Sequence, residues 1–198
     1  MALITYDDKV TMNENASVPT INKVRATDMN EIKNVVNKNA RRDVITIKLT
    51  SDYTISANNK TEKVTGFEVY DQVGQYLSFS NNSIVVGSNV SHVLVSYSAR
   101  TKSKTNSTNR NITYLNCSDN TDNLSYDVIS QEIHNYTTNS QGDVCQRSCS
   151  PMIVPVVPGA KFYLTCYGEA GAKVIGFSPK LGSFNTTFIT VEAVIYND

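Results

Sequence analysis

The residues that could bind a metal are two cysteines in a polar segment, Cys145 and Cys149, together with the nearby His134. Thiolates and imidazoles are zinc ligands, but structural zinc sites combine two closely spaced ligand pairs, and only one pair is present here. The two cysteines could instead form a disulfide, within the chain or between chains, or remain thiols. The opening residues lack a basic region followed by a long apolar stretch, so we expect reduced thiols.

The other two cysteines fall on strand-like patterns. Cys166 alternates with Phe162 and Leu164, and Cys117 alternates with Leu115. Unpaired cysteines in such positions behave as small apolar residues, so we expect both to be buried. Oxygen-bearing side chains cluster at residues 119–123, but this segment lacks the full calcium-loop pattern and its glutamate. We therefore expect no metal and no cofactor.

Motifs of enzyme chemistry are missing from the sequence. It contains no Gly-x-Ser-x-Gly, no His-Glu-x-x-His, no phosphate-binding loop and no dinucleotide-binding glycine cluster. His92 and His134 have no motif around them, so we predict no catalytic residues and no enzymatic activity. A zinc- or calcium-dependent hydrolase on a β scaffold is the alternative, and it would require stoichiometric metal in the purified protein.

The balance of charge excludes two classes of partner. The 198 residues carry 18 Lys and Arg against 18 Asp and Glu, and polarity comes largely from uncharged side chains, including 22 Asn. A surface of this kind argues against electrostatic binding of nucleic acid or of anionic membranes. No apolar run approaches the roughly 20 residues of a membrane helix, so we expect no membrane insertion.

Two groups of side chains could contact a partner at the surface. A hydrophilic connection carries four cationic side chains: Arg100, Lys102, Lys104 and Arg110. They could contact an anionic glycan or lipid. A solvated hairpin loop without a ligand would have the same composition. Four tyrosines could form a binding platform for a sugar: Tyr70, Tyr76, Tyr126 and Tyr136. Tyrosines in strands, however, often bury the ring and leave only the hydroxyl group in contact with solvent.

The first 42 residues divide into an arm and a helix. Residues 1–26 are polar and irregular, which is typical of an extended anchoring arm that docks on something else. Residues 27–42 are predicted as a short helix, capped by Asp28 and Glu31. Its stripe follows heptad spacing, and Asn39 would set the register; the stripe is Met29, Ile32, Val35, Val36 and Asn39.

The helix is too short to be stable alone in water. It could lie on the core of its own domain, or it could pair with copies of itself in a short bundle. We favour self-association because the neighbouring segments offer it no obvious sheet.

From Asp43 to the end of the chain, apolar residues recur with period two. Examples are Ile45 with Ile47, Phe67 with Val69, and the closing run 189–195. Turn signals rich in Asn and Gly separate these runs, as expected for half-buried antiparallel strands of a sandwich or barrel. Residues 125–136 fit both a strand and a helix, and we favour a strand with a bulge.

Two parts of the sequence resemble known families. Ile-Thr-Tyr-Asp-Asp-Lys-Val at 4–10, followed by residues 21–37, resembles the N-terminal attachment segment of small virion structural proteins in phages of low-GC bacteria. Residues 43–198 look like a jelly-roll β-sandwich of the tumour-necrosis-factor and complement-globular-head type. The resemblance is clearest in residues 157–164 and 188–195. The cysteine pair and the polar connection at 100–110 depart from the family pattern.

This resemblance implies a fold, an assembly and a role. The fold would be mainly β, an antiparallel jelly-roll sandwich preceded by the extended arm and one short helix. The assembly would be a homotrimer whose arms attach to other virion proteins, so the protein would be located in the virion. The outward jelly roll would bind the host surface, with a glycan as one receptor class. The alternative is a purely structural joint or capsid-decorating protein without a receptor role.

Overall fold

The computed structural model describes residues 29–34, 43–104, 111–118, 128–134, 144–177 and 186–194, with the backbone alone at residues 134 and 144–146. The chain divides into two compact units, Met1–Arg42 and Asp43–Asp198. In the first unit, residues 29–34 form a helix, α1. The predicted arm and the helix residues Val35, Val36 and Asn39 lie outside the described residues.

The second unit is built from β-strands, as the period-two pattern predicts. Within the described part of the chain the strands are β1 (Asp43–Leu49), β2 (Tyr53–Thr54), β3 (Thr61–Lys63), β4 (Phe67–Val73), β5 (Leu77–Ser80), β6 (Ser83–Val86), β7 (His92–Lys102), β8 (Asn111–Ser118), β9 (Val128–His134), β10 (Val144–Ser148), β11 (Met152–Pro155), β12 (Lys161–Tyr167), β13 (Lys173–Val174) and β14 (Phe188–Val194).

These strands form two antiparallel sheets. The eight-stranded sheet has the order β2-β13-β7-β14-β1-β4, with β10 and β11 also paired to β7. The six-stranded sheet has the order β5-β6-β12-β8-β9, with β3 also paired to β12. The last strand, β14, therefore lies between β1 and β7, which are far from it in sequence. The predicted fold class, a mainly β antiparallel sandwich with one short helix, is confirmed.

The core lies between the two sheets and follows the predicted alternation. Exposed fractions of 0–1% are found for Ile45, Ile47 and Leu49 of β1, for the inner residues of β7, and for Ile189 and Val191 of β14. In β12 both faces are covered, and the side chains of Phe162 and Tyr163 are fully buried. Because a strand places alternate side chains on opposite faces, one register buries all of these apolar residues together.

Two bulges interrupt the regular register of the sheets. Tyr70 of β4 has no register partner in β1, since Thr46 pairs with Asp71 and Ile47 pairs with Val69. Val69 pairs with Ile47 and Phe67 pairs with Leu49, so the two share the inward face as predicted. Val69 is nevertheless 41% exposed, because β4 lies at the edge of its sheet among the described strands. Edge strands have covering neighbours on one flank only, so only the beginning of β4 reaches the core.

The second bulge lies in the segment that fits two secondary structures. Residues 128–134 form strand β9, which pairs with β8. Leu115 of β8 pairs with Ser130 and Asn116 pairs with Val128, so Ile129 is the bulged residue without a partner in the register. The prediction of a strand with a bulge is confirmed for these residues. Residues 119–127 and 135–143 lie outside the described part of the chain.

A buried carboxylate fixes the start of the sandwich. Asp43 is 2% exposed, and its carboxylate oxygens accept hydrogen bonds from the backbone N–H groups of Gln75 at 2.6 Å, Tyr76 at 2.8 Å and Leu77 at 3.0 Å. Gly74 precedes this turn with φ +96, and a Cβ there would collide with the Asp43 side chain. Asp43, the first residue of β1, thus fixes the turn between β4 and β5, where the chain passes from one sheet to the other.

Replacing Asp43 by alanine should destabilise the sandwich by about 3 kcal/mol, because three backbone donors lose a charged acceptor. The measurement is the free energy of unfolding in urea. Asp71→Ala, which removes an exposed carboxylate of β4, is the matched control and should change stability by less than about 0.5 kcal/mol. Equal losses in the two variants would contradict the anchoring role of Asp43.

Candidate functional site

The side of the eight-stranded sheet that points away from the core is the candidate interaction surface, and we call it the outer face. It carries the residues of β1, β14 and β7 that alternate with the buried ones. These residues are half-buried for the most part and include Val44, Thr46 and Lys48 of β1. The outer face is therefore a sheet surface without a second layer among the described residues.

One end of the outer face is apolar. Register places five residues side by side across β4, β1, β14, β7 and β11, and we call them the apolar row; they are Val73, Val44, Glu192, Leu94 and Ile153. Val73 is 53% exposed and Ile153 is 69% exposed. Val44, Glu192 and Leu94 between them are half-buried, with the glutamate at the centre of the row. Apolar side chains gathered on an exposed sheet face often mark sites of protein–protein contact. The row therefore fits a protein partner.

The other end of the outer face contains a groove of about 270 Å³, which we call the Lys48 groove. Its floor comes from β1 and β14, and its walls come from β4 and from the segments on either side of residues 178–185. The lining consists of three aromatic rings, three threonines and one lysine: Tyr70, Phe177, Phe188, Thr46, Thr186, Thr190 and Lys48. Ring faces, hydroxyls and a cation are therefore combined in one concave site.

The ammonium group of Lys48 lies between two aromatic rings. Its Nζ is 4.3 Å from the centroid of the Tyr70 ring and 4.2 Å from that of Phe177. Such cation–π contacts hold the ammonium in place and leave its N–H groups available as donors. Among the residues that the structure describes, Lys48 forms no ion pair, although Glu68 is its cross-strand neighbour.

The tightest polar cluster outside the outer face surrounds Glu62. Its carboxylate accepts hydrogen bonds from Tyr53 Oη at 2.9 Å, Ser56 Oγ at 2.6 Å, and the backbone N–H groups of Ser56 and Ala57. Burial raises the pKa of this carboxyl, but the hydrogen bonds outweigh burial and hold the pKa below its ordinary value. With its oxygens fully used, Glu62 ties the 56–57 turn to β3 and is a structural carboxylate.

The predicted basic contact residues do not form one loop. Strand β7 continues through Lys102, so Arg100 and Lys102 are half-buried strand residues of the outer face, and their prediction as loop residues is wrong. Pairing of this end of β7 with β10 and β13 extends the strand. Lys104 follows the strand, and its Nζ lies 3.9 Å from Glu169 Oε1. Arg110 lies outside the described residues.

The structure describes two of the four tyrosines of the predicted platform, and they have different environments. Tyr70 is 58% exposed in the Lys48 groove, whereas Tyr76 packs against the hydrophobic core. Tyr126 and Tyr136 lie outside the described residues. The sequence contained no signal for the partners that Tyr70 acquires, since Phe177 and Phe188 come from segments that are more than 100 residues away.

The helix stripe is visible only in part. Met29 is 40% exposed and Ile32 is 52% exposed in α1, so both present apolar surface. No helix among the described residues has the length and apolar character needed to cross a bilayer.

The cysteines are thiols wherever their side chains are described. Burial raises the pKa of the Cys166 thiol to about 12, in keeping with its predicted place in the core. Cys117 is half-buried against the core. Cys149 is also a free thiol in this structure. It accepts a hydrogen bond from Tyr97 N at 3.3 Å. The side chain of Cys145 lies outside the described residues, so the disulfide alternative stays a prediction.

The metal alternatives are tested only in part. The described residues contain no group of three or more His, Cys, Asp and Glu side chains that could hold a metal ion. The side chains of His134 and Cys145 and the segment 119–123 lie outside the described residues.

Solved structures share this arrangement of strands. Murine APRIL superposes with a TM-score of 0.53 and 13% identity, covering 78% of this chain and 100% of that chain. An Eiger TNF from S. frugiperda gives a TM-score of 0.57 and 9% identity, covering 80% and 96%. The fold is a TNF-like jelly roll. At these identities the likeness establishes the fold alone. No protein-family model and no curated protein matches the sequence.

The Glu62 cluster predicts a pH dependence of stability. The pKa of Glu62 is lower in the folded than in the unfolded protein. The stabilisation of the fold by ionised Glu62 is therefore complete at pH values above the ordinary glutamate pKa, and it is lost as the pH falls through the pKa of the folded state. Glu62→Gln should cost roughly 1–3 kcal/mol at pH 7 and progressively less in acid. Urea unfolding of both proteins at pH 7 and pH 3 measures this. A constant difference between them would contradict the ionised role of Glu62.

Proposed function

We propose that this chain is a non-enzymatic structural protein of a phage particle, a homotrimeric appendage of the tail tip, baseplate or head. Its N-terminal arm attaches to other virion proteins, and its jelly roll points outward to bind the host surface. The virion assignment is supported by the resemblance of residues 4–10 and 21–37 to phage attachment segments. The TNF-like jelly roll supports the outward domain.

The observation that carries the self-association is the apolar row. Four of its five side chains are apolar, and the row crosses five strands of one sheet face. Burying such a surface contributes roughly 25 cal/mol per Å², whereas a face of this type left in water favours aggregation. A second copy of the chain is a partner that is always present at the same concentration as the first. Homo-oligomers of this kind usually close into symmetric rings.

The helix adds a second contact in this proposal. Met29 and Ile32 present apolar surface in α1, and Val35, Val36 and Asn39 continue the stripe along the sequence. Three short helices that are individually unstable gain stability by burying this stripe together. The trimer would then hold three binding domains on one stem, so that weak individual contacts act together.

A purely structural joint or decoration protein is the second candidate. The neutral composition favours it, because a chain with equal numbers of acidic and basic residues has little long-range steering towards a charged cell surface.

Val73→Lys should dissociate the trimer, because it places a charge in the apolar row where a second copy would cover it. Light scattering coupled to size-exclusion chromatography should report a mass near 22 kDa per particle instead of three times that value. Thr61→Lys introduces the same charge at an exposed β-branched residue of β3, in the other sheet, and should leave the trimer intact. A Val73→Lys variant that remains trimeric would overturn the assignment of the row.

Fluorescently labelled full-length protein should bind envelopes of low-GC bacteria with an apparent affinity at least tenfold higher than that of the Val73→Lys monomer, because the trimer binds through three sites. The measurement is a sedimentation assay with purified envelopes, with the Thr61→Lys trimer as control. Binding only to phage particles that lack the protein, and to no envelope, would favour the structural joint instead.

A further inference from the structure

We propose that the Lys48 groove binds a single sugar ring that bears a carboxylate, such as a uronic acid of a cell-surface polysaccharide. This inference rests on the proposed receptor role of the jelly roll and names the class of receptor and the place where it binds. It follows from the size, the lining, the charge and the position of the groove.

The size and lining of the groove fit a sugar. Its volume of about 270 Å³ is below the roughly 300–1,000 Å³ of pockets for drug-sized molecules, so it admits one ring rather than an oligosaccharide. A pyranose has apolar C–H faces and a rim of hydroxyls. The ring of Phe188 offers the apolar contact, since Lys48 lies against the rings of Phe177 and Tyr70, and Tyr70 adds a polar hydroxyl tip.

The hydroxyl groups are also arranged for a polar ligand. Thr46 Oγ1 and Thr190 Oγ1 lie 3.0 Å apart across β1 and β14 and share one hydrogen bond. One of the two hydroxyls therefore keeps its proton free to donate, and both keep acceptor capacity. Sugar hydroxyls both donate and accept, so they can bond to such a pair.

The charge of the groove selects a carboxylate over a neutral sugar. Lys48 contributes an ammonium that is held by two rings and forms no ion pair among the described residues. Arg100 is a half-buried residue of the outer face, and its backbone N–H donates a hydrogen bond to Thr187 Oγ1, the neighbour of Thr186 in the chain. The acidic groups on this side, Glu68 and Asp71, are exposed on the edge strand β4, where water and salt screen them.

The position of the groove keeps it accessible in the proposed assembly. Val44 of the apolar row and Lys48 of the groove both lie on β1, four residues apart. Four residues of strand span roughly 13 Å, so the groove and the apolar row lie at opposite ends of β1 on the outer face. Self-association through the apolar row therefore leaves the groove open to a ligand.

The test is ligand-detected NMR and titration calorimetry of the full-length protein with glucuronate, its methyl ester and glucose. Glucuronate should bind with a dissociation constant on the order of 1 mM, and the two neutral sugars should bind at least tenfold more weakly. Lys48→Met and Tyr70→Ala should each reduce glucuronate binding at least tenfold. Lys60→Met, which removes an exposed lysine of a turn, should bind as the wild type does.

Each contrary result has a definite meaning. Absence of glucuronate binding overturns the site, and equal binding of glucose overturns the role of the carboxylate. A change in oligomeric mass on Lys48→Met or Tyr70→Ala, measured by light scattering, would show that a second copy fills the groove and would also overturn the proposal. Failure of the virion role is separate: glucuronate binding with no envelope binding refutes the receptor function and leaves the groove assignment standing.

Discussion

The insertion of β14 between β1 and β7 is the constraint on which the rest of the structure depends. Ile189 and Val191 of β14 are fully buried, and the strand supplies ladder hydrogen bonds to both neighbours. Without it the eight-stranded sheet would be cut into two parts and the inner faces of β1 and β7 would lose their common register. Because its partners lie about 90 and 145 residues earlier in the chain, closure of the sheet requires contacts of high sequence separation, which form slowly in folding.

The same central pairing creates the outer face and both of its ends. Alternation along β1, β14 and β7 sends one set of side chains to the core and the other set outward, so the register that closes the core also aligns the apolar row. A surface of valines, threonines and serines between a few charges is consistent with the neutral composition of the chain. Packing, rather than long-range charge, would then decide which partners the protein keeps.

The Lys48 groove arises where the regular pattern breaks. The bulge in β4 leaves Tyr70 without a register partner and turns its ring over Lys48. On the opposite side, Gly176 lies so close to the backbone of Ser51 that a Cβ would collide with it, and this close approach brings Phe177 to the other side of the ammonium. Neither irregularity has a sequence signature strong enough to predict that three distant segments meet at one lysine.

The sequence by itself determined the strands, their inward faces and many of the turns, because these follow from local spacing. Ile45, Ile47, Val93 and Val95 are buried as their alternation predicts, and Asn59, Asn82 and Asn89 adopt positive φ at turns marked by asparagine. Tertiary structure alone decided that Val69 is exposed, that Arg100 and Lys102 belong to a strand, and that Tyr70 meets Lys48 and Phe177 in the concave site. Those outcomes depend on which strand lies at an edge and which segments cross, and such long-range pairings leave no trace in the local pattern of a single chain.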